Sequence, residues 1–200
     1  MSRAWTLSLL SASVLLGFGI APSLAVRGTA SEKQAVPKLA NELLLAGLRP
    51  GRNKIPQAQR MYRLTKKDPT DGIFLSHDVC LGQTLTLTED NNEIETIRVV
   101  DDGSDHTPEC SNRSGKPRLN RWVTGRGLKI GDSQQRVIDL YGQPNSRSPS
   151  TKDGKPLELL YYAFDWAGPD VPQVMEVVCT RDKDGKPGRV VEITLAAASL

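Results

Sequence analysis

The sequence predicts an exported α+β protein made of two tandem units, each a short helical segment packed on a three-stranded antiparallel meander. Three observations carry that expectation. The chain opens on an apolar run that ends in small residues. Strand-like runs come in two groups of three, separated by turn residues. Each group follows a stretch of helical spacing beside a glycine-bounded turn.

Residues 1–25 read as a cleavable signal peptide. Arg3 is the only charge before an apolar stretch from Trp5 to Ile20, and Pro22-Ser23-Leu24-Ala25 supplies small residues for cleavage. That stretch falls short of the roughly 20 residues a spanning helix needs, and Gly17 and Gly19 interrupt it. No later run approaches spanning length. The mature chain, starting near Val26, is therefore expected to be periplasmic or secreted and not integral to a membrane. The full chain carries 26 basic and 23 acidic side chains in 200 residues, with the signs interspersed. That excludes the one-sided basic footprint of a nucleic-acid binder.

Residues 26–37 are polar and aperiodic, a flexible leader. From Lys38, Leu39, Leu43 and Leu44 with Ala40 and Ala46 predict a first helix, closed by Gly47 or Pro50-Gly51. A weaker helix is expected around Gln57 to Arg63. Strands follow at Gly72–Val79, Gln83–Glu89 and Glu93–Val100, with Gly82 and Asp90-Asn91-Asn92 as turns. Leu85 and Leu87 alternate with threonines, giving one face to a core and the other to water. These elements form the first unit, residues 38–100.

Residues 101–123 carry Asp, Ser, Gly, Pro and Arg without an apolar period and read as a linker. The second unit, residues 124–200, restarts with Gly131-Asp132-Ser133 before a helix whose Val137, Leu140 and Tyr141 share one face. Gly142 and Pro144 stop that helix, and Asp132 with Gln135 has capping-box spacing. Strands are expected at Leu157–Phe164, Val174–Thr180 and Arg189–Leu195, with Asp184-Gly185 as a hairpin turn. Gly47-Leu48-Arg49-Pro50-Gly51 aligns with Gly127-Leu128-Lys129-Ile130-Gly131, and Leu87–Asp90 with Cys179–Asp182, which reads as a repeat.

The stretch Ile130 to Pro144, with its opening Gly131 and closing Gly142-Gln143-Pro144, resembles the signature of BamE-like (SmpA/OmlA) domains. Leu159-Leu160-Tyr161-Tyr162 sits where that family has an aromatic strand. The tandem order is similar to the β-lactamase-inhibitor-protein architecture. Both resemblances imply a non-enzymatic protein-binding module. This chain has Asp132 where the family usually has Met, and its first cysteine is Cys80, so the lipid anchor of the family's outer-membrane members is absent.

Three cysteines in an exported chain predict one disulfide and one leftover thiol. Cys80 with Cys110 is the expected bridge, tying the linker to the first sheet, while Cys179 shares a strand face with Met175 and Val177 as a buried thiol. The only histidines lie near cysteines, so His77, Cys80, His106 and Cys110 form an alternative zinc set. Three-residue spacing on a strand turns His77 and Cys80 to opposite faces, which favours the disulfide. Asp101-Asp102-Gly103-Ser104-Asp105 and Asp182-Lys183-Asp184-Gly185 match no EF-hand and read as turns. No Gly-x-Ser-x-Gly elbow is present, and no cofactor is expected.

Trp122, Tyr161, Tyr162 and Trp166 are the candidate contacts for a partner protein, with Tyr161 and Tyr162 on opposite faces of one strand. The sequence thus points to an exported, non-enzymatic protein-binding module of the cell envelope or secreted fraction. Its rivals are an envelope structural or assembly component at the outer membrane and a zinc- or thiol-dependent enzyme. The partner itself is not legible.

Overall fold

Two-residue turns set much of the strand order. Asn91-Asn92 (φ 50° and 66°) and Asp153-Gly154 (φ 51° and 72°) both take positive φ at consecutive positions. That is the conformation of a type I′ hairpin, whose twist matches that of the strands it joins. A computed structural model describes residues 41–68, 70–103, 122–164, 173–181 and 187–197. Helix α1 spans Ile55–Met61 and is followed by strands β1 (Thr65–Lys66), β2 (Ile73–Asp78), β3 (Gln83–Asp90) and β4 (Glu93–Asp101). Helix α2 (Gln134–Tyr141) then leads to β5 (Ser146–Lys152), β6 (Lys155–Phe164), β7 (Gln173–Arg181) and β8 (Pro187–Ala197).

These strands form a single eight-stranded sheet in the order β1-β2-β3-β4-β8-β7-β6-β5, with every neighbouring pair antiparallel. This corrects the expectation of two tandem helix-plus-meander units. β4 pairs with β8 from Thr96↔Ala196 to Val100↔Glu192, so the two groups of strands share a ladder through the middle of the molecule. The physical reason is edge satisfaction. The last strand of a free meander would leave a row of unpaired N–H and C=O groups, and here the two last strands satisfy one another. The core crosses the same seam, because Leu85, Val99, Ile193, Val177 and Leu160 lie in register on one face and all are fully buried. Pro37–Leu200 accordingly forms one compact unit.

Two strands were not anticipated. β1 has only two residues, and β5 is exposed at every position. The sequence Ser-Arg-Ser-Pro-Ser-Thr-Lys buries nothing, so it carries no alternation to read. The six expected strands form at the expected places, with their ends displaced by no more than two residues. The Asp184-Gly185 turn lies outside the described residues.

The first expected helix does not form over its described part. From Asn41 onward the chain is irregular, and Leu45 bridges both Leu48 and Thr124 around an Ala46-Gly47 turn. The Glu42 carboxylate takes the N–H groups of Leu43 and Leu44, which a helix would have used. Leu45, Ala46 and Leu48 are buried together, not as a stripe. The helix expected around Gln57 begins earlier, at Ile55, because Pro56 fits the first turn, where no intrahelical N–H is needed. In α2 the cap is Ser133, whose hydroxyl accepts from the Arg136 N–H at 3.2 Å. Asp132 instead accepts from the Lys129 N–H and the Arg136 side chain. Gly142 (φ 80°) ends the helix.

The two aligned glycine turns match in conformation, with positive φ at Gly47, Gly51, Gly127 and Gly131. Gly51 donates to the Ile94 carbonyl and Gly131 to the Val190 carbonyl, each at 2.8 Å. The turns thus hang on β4 and β8 of the common sheet and do not divide it. With α2 they lie over the face that carries the apolar rows. Tyr141 of α2 packs on Tyr162 and Phe164, with ring centroids 5.9 and 6.2 Å away. Helix and sheet are further joined by Gln134 Nε2 donating to Glu158 Oε2.

Candidate protein-binding face

Strand alternation sends every second side chain to the side away from the helices. The central row of that face runs Leu75, Thr86, Arg98, Thr194, Glu176 and Tyr161, in register from β2 to β6. All six are partly exposed. Val178 and Leu159 continue the apolar part on one flank, and Ser146, Ser148 and Ser150 border it on β5. Among the described residues no second layer covers this face. Its centre is fixed by Arg98, which donates from both Nε and a terminal nitrogen to the two Glu192 oxygens, each at 2.7 Å. Glu192 is the main reason that the Arg98 pKa is raised, which holds the guanidinium in its charged form.

The β5 margin of the sheet is less receptive than its face. In β5, the two-residue turn makes Lys152 and Lys155 a hydrogen-bonded pair, so Ser150, Ser148 and Ser146 also bond inward to β6. Arg147, Pro149 and Thr151 direct their backbone groups outward. Pro149 has no N–H to offer, so the middle of this edge lacks the donor that an added strand would need.

A second polar cluster is internal. Glu42, only 2 % exposed, accepts at Oε1 from the N–H groups of Leu43, Leu44 and Gly125 at 2.9–3.0 Å. Its Oε2 accepts from the Arg126 N–H at 3.0 Å and the Tyr141 hydroxyl at 2.7 Å. Burial raises the Tyr141 pKa well above its ordinary value, which keeps the phenol a donor. Gly125 belongs there because a Cβ at that position would sit 2.6 Å from Glu42 Oε1. An apolar recess of about 350 Å³ adjoins this cluster, lined by Leu44, Met61, Tyr62 and Val123 among others, with Leu44 and Met61 partly exposed.

The residues proposed as partner contacts fall in different places. Tyr161 stands on the open face, whereas Tyr162 is wholly buried and donates its hydroxyl to the Gly142 carbonyl. Trp122 is 5 % exposed and meets Tyr62 edge-on at 6.3 Å, so it belongs to the core. Trp166 lies outside the described residues. Alternation had separated Tyr161 from Tyr162 correctly, but nothing in the sequence marked Arg98 as a neighbour of Glu192 and Glu176, because the β4–β8 pairing joins segments far apart in the chain.

Cys80 is disulfide-bonded, and its N–H donates to Asp78 Oδ1. Cys110 lies outside the described residues, so the Cys80–Cys110 pairing stands as a proposal. Cys179 is a free, buried thiol, and burial pushes its pKa up to about 12. His77 is largely exposed. Thr84 Oγ1 donates to Asp102 Oδ2 and lies 2.8 Å from His77 Nδ1. The hydroxyl has one proton, so the imidazole Nδ1 is the donor to Thr84. Asp102 stands 3.8 Å from His77 and engages the threonine instead of orienting the ring. Of the alternative zinc set, His106 and Cys110 lie outside the described residues. Among the described residues no group of three or more His, Cys, Asp and Glu is arranged to hold a metal. Asp101 caps its own turn, accepting from the Gly103 N–H.

No family model matches the chain, and no curated protein matches it. Among solved structures, a cysteine-rich secretory protein from Staphylococcus aureus is similar at 14 % identity and a TM-score of 0.41. The match covers 80 % of this chain and 48 % of that one, so the chain spans about half the length of that structure. At this level the likeness carries no argument. The resemblances to BamE-like domains and to the β-lactamase-inhibitor-protein architecture are accordingly corrected: Ile130 to Pro144 amount to a local capping solution, a helix opened by Ser133 and closed by Gly142, and the expected tandem units are one sheet. Among the described residues, no helix is long and apolar enough to cross a membrane.

Proposed function

We propose that this is an exported, non-enzymatic protein-binding module that docks its partner on the open face of the sheet. The observation that carries the reading is a broad, rigid face whose mixed apolar and charged side chains have no second layer over them among the described residues. A single-layer sheet backed by one core holds such side chains in place, so little order has to be bought on binding. The mixture of Tyr161, aliphatic residues and one fixed ion pair suits a specific protein surface, with aromatic and aliphatic area for affinity and charges for register. At the β5 edge, Pro149 disfavours recognition by strand addition.

Photo-crosslinking tests the reading. With benzoylphenylalanine at Thr194, on the open face, a defined adduct is expected when the protein is expressed in its own host. The same probe at Met61, beside the apolar recess, is expected to give none. Adducts from Met61 alone, or from neither position, would overturn docking on the sheet face.

A further inference from the structure

We infer that the partner presents an arginine side chain to Glu176, alongside Tyr161; this rests on docking at the open face. Glu176 stands in register between Tyr161 on β6 and Thr194 on β8, and the next strand over carries Arg98. Both guanidinium bonds of Arg98 described above go to Glu192, so the one cation of this neighbourhood among the described residues is already engaged. Glu176 acts on Arg98 only through space, and its carboxylate has no hydrogen bond or ion pair among the described residues.

The central patch thus carries one positive and two negative charges. The surroundings of the unpaired carboxylate are otherwise apolar or uncharged: Val174 and Val178 two residues away on the same strand face, Tyr161 to one side and Thr194 to the other. A partner covering this patch removes water from Glu176, and an unpaired buried charge costs several kcal/mol. Docking on this face therefore selects a cation at that point. Arginine fits better than lysine, because its planar fork can take both carboxylate oxygens while its face lies against the tyrosine ring. Neutral or acidic groups there are selected against.

The test needs no identified partner. The isotopically labelled mature protein is titrated with N-acetyl-arginine amide and, separately, with the uncharged isostere N-acetyl-citrulline amide, while backbone amide resonances are followed. Saturable shifts are expected at Tyr161, Glu176 and Thr194 with the arginine probe. They should weaken by about twofold to fivefold with citrulline and in Glu176→Gln, and Tyr161→Leu should weaken them in part. Equal shifts in Glu176→Gln, equal shifts with citrulline, shifts scattered over exposed acids such as Glu95 and Asp139, or none at all would overturn the inference. If the titration fails while Thr194 crosslinks persist, only the arginine claim falls. If the crosslinks fail, docking itself falls.

Discussion

At the scale of single residues, the polar groups that matter most to stability were the least legible. Glu42 reads in the sequence as one charge on an expected helix. In the fold it is a buried acceptor for four backbone N–H groups and a phenol. Gly125, Arg126 and Tyr141 reach it from more than eighty residues away, and no local pattern encodes that meeting. Glu42→Ala strands these donors and should cost about 3 kcal/mol in urea unfolding; a loss below about 1 kcal/mol would show that water replaces the carboxylate. Cys179 was legible, because alternation with Met175 and Val177 put it on the buried face. Its pKa rises from 9.0 to about 12, and those of Tyr141 and Tyr162 rise from 10.0, with burial the first cause in each case. The folded state thus keeps protons that the unfolded chain gives up. The stabilisation is complete below pH 9 and is lost as pH climbs toward 12 and beyond. The urea midpoint should fall steadily above pH 9, and Cys179 should resist alkylation at pH 8 until the protein unfolds. A flat alkaline limb or a fast native thiol reaction would contradict this.

At the scale of elements, strands with one buried face were readable and strands with none were not. β3 shows its alternation in Leu85 and Leu87, whereas β5 exists because β6 offers it a partner and a type I′ turn returns the chain. The same logic explains the lost first helix. Helical spacing in Leu39, Leu43 and Leu44 was real, but Gly47 and the Glu42 side chain gave the backbone other bonds. Two substitutions probe this level. Ser133→Ala removes the side-chain cap of α2 and should cost about 1 kcal/mol; no change in thermal unfolding would place the cap elsewhere. Pro149→Thr restores an outward N–H in the middle of the β5 edge and should make the protein self-associate in sedimentation velocity where the parent does not. An unchanged sedimentation coefficient would mean that Pro149 is not what blunts the edge.

At the scale of the whole molecule, the count and order of the main strands could be read from turns and alternation, but their assembly could not. Whether two meanders stand apart or merge depends on β4 meeting β8, a pairing between residues near 98 and residues near 194. The same event creates the face on which Arg98, Glu192 and Glu176 gather, so the candidate site was hidden for the same reason as the topology. One core and one ladder also imply a single cooperative unfolding transition for the sheet and the helices packed on it; two separated transitions would restore independent units.

The central claim is that the open face is free in the isolated protein and covered by a partner in its native setting. Carbodiimide labelling of carboxylates, read by peptide mass spectrometry, tests both halves when purified protein is compared with the same protein in its unfractionated extract. The account predicts Glu176 labelled in the purified protein and protected in the extract, with buried Glu42 protected in both. Glu176 already protected in the purified protein, or labelled equally in the two, would contradict it.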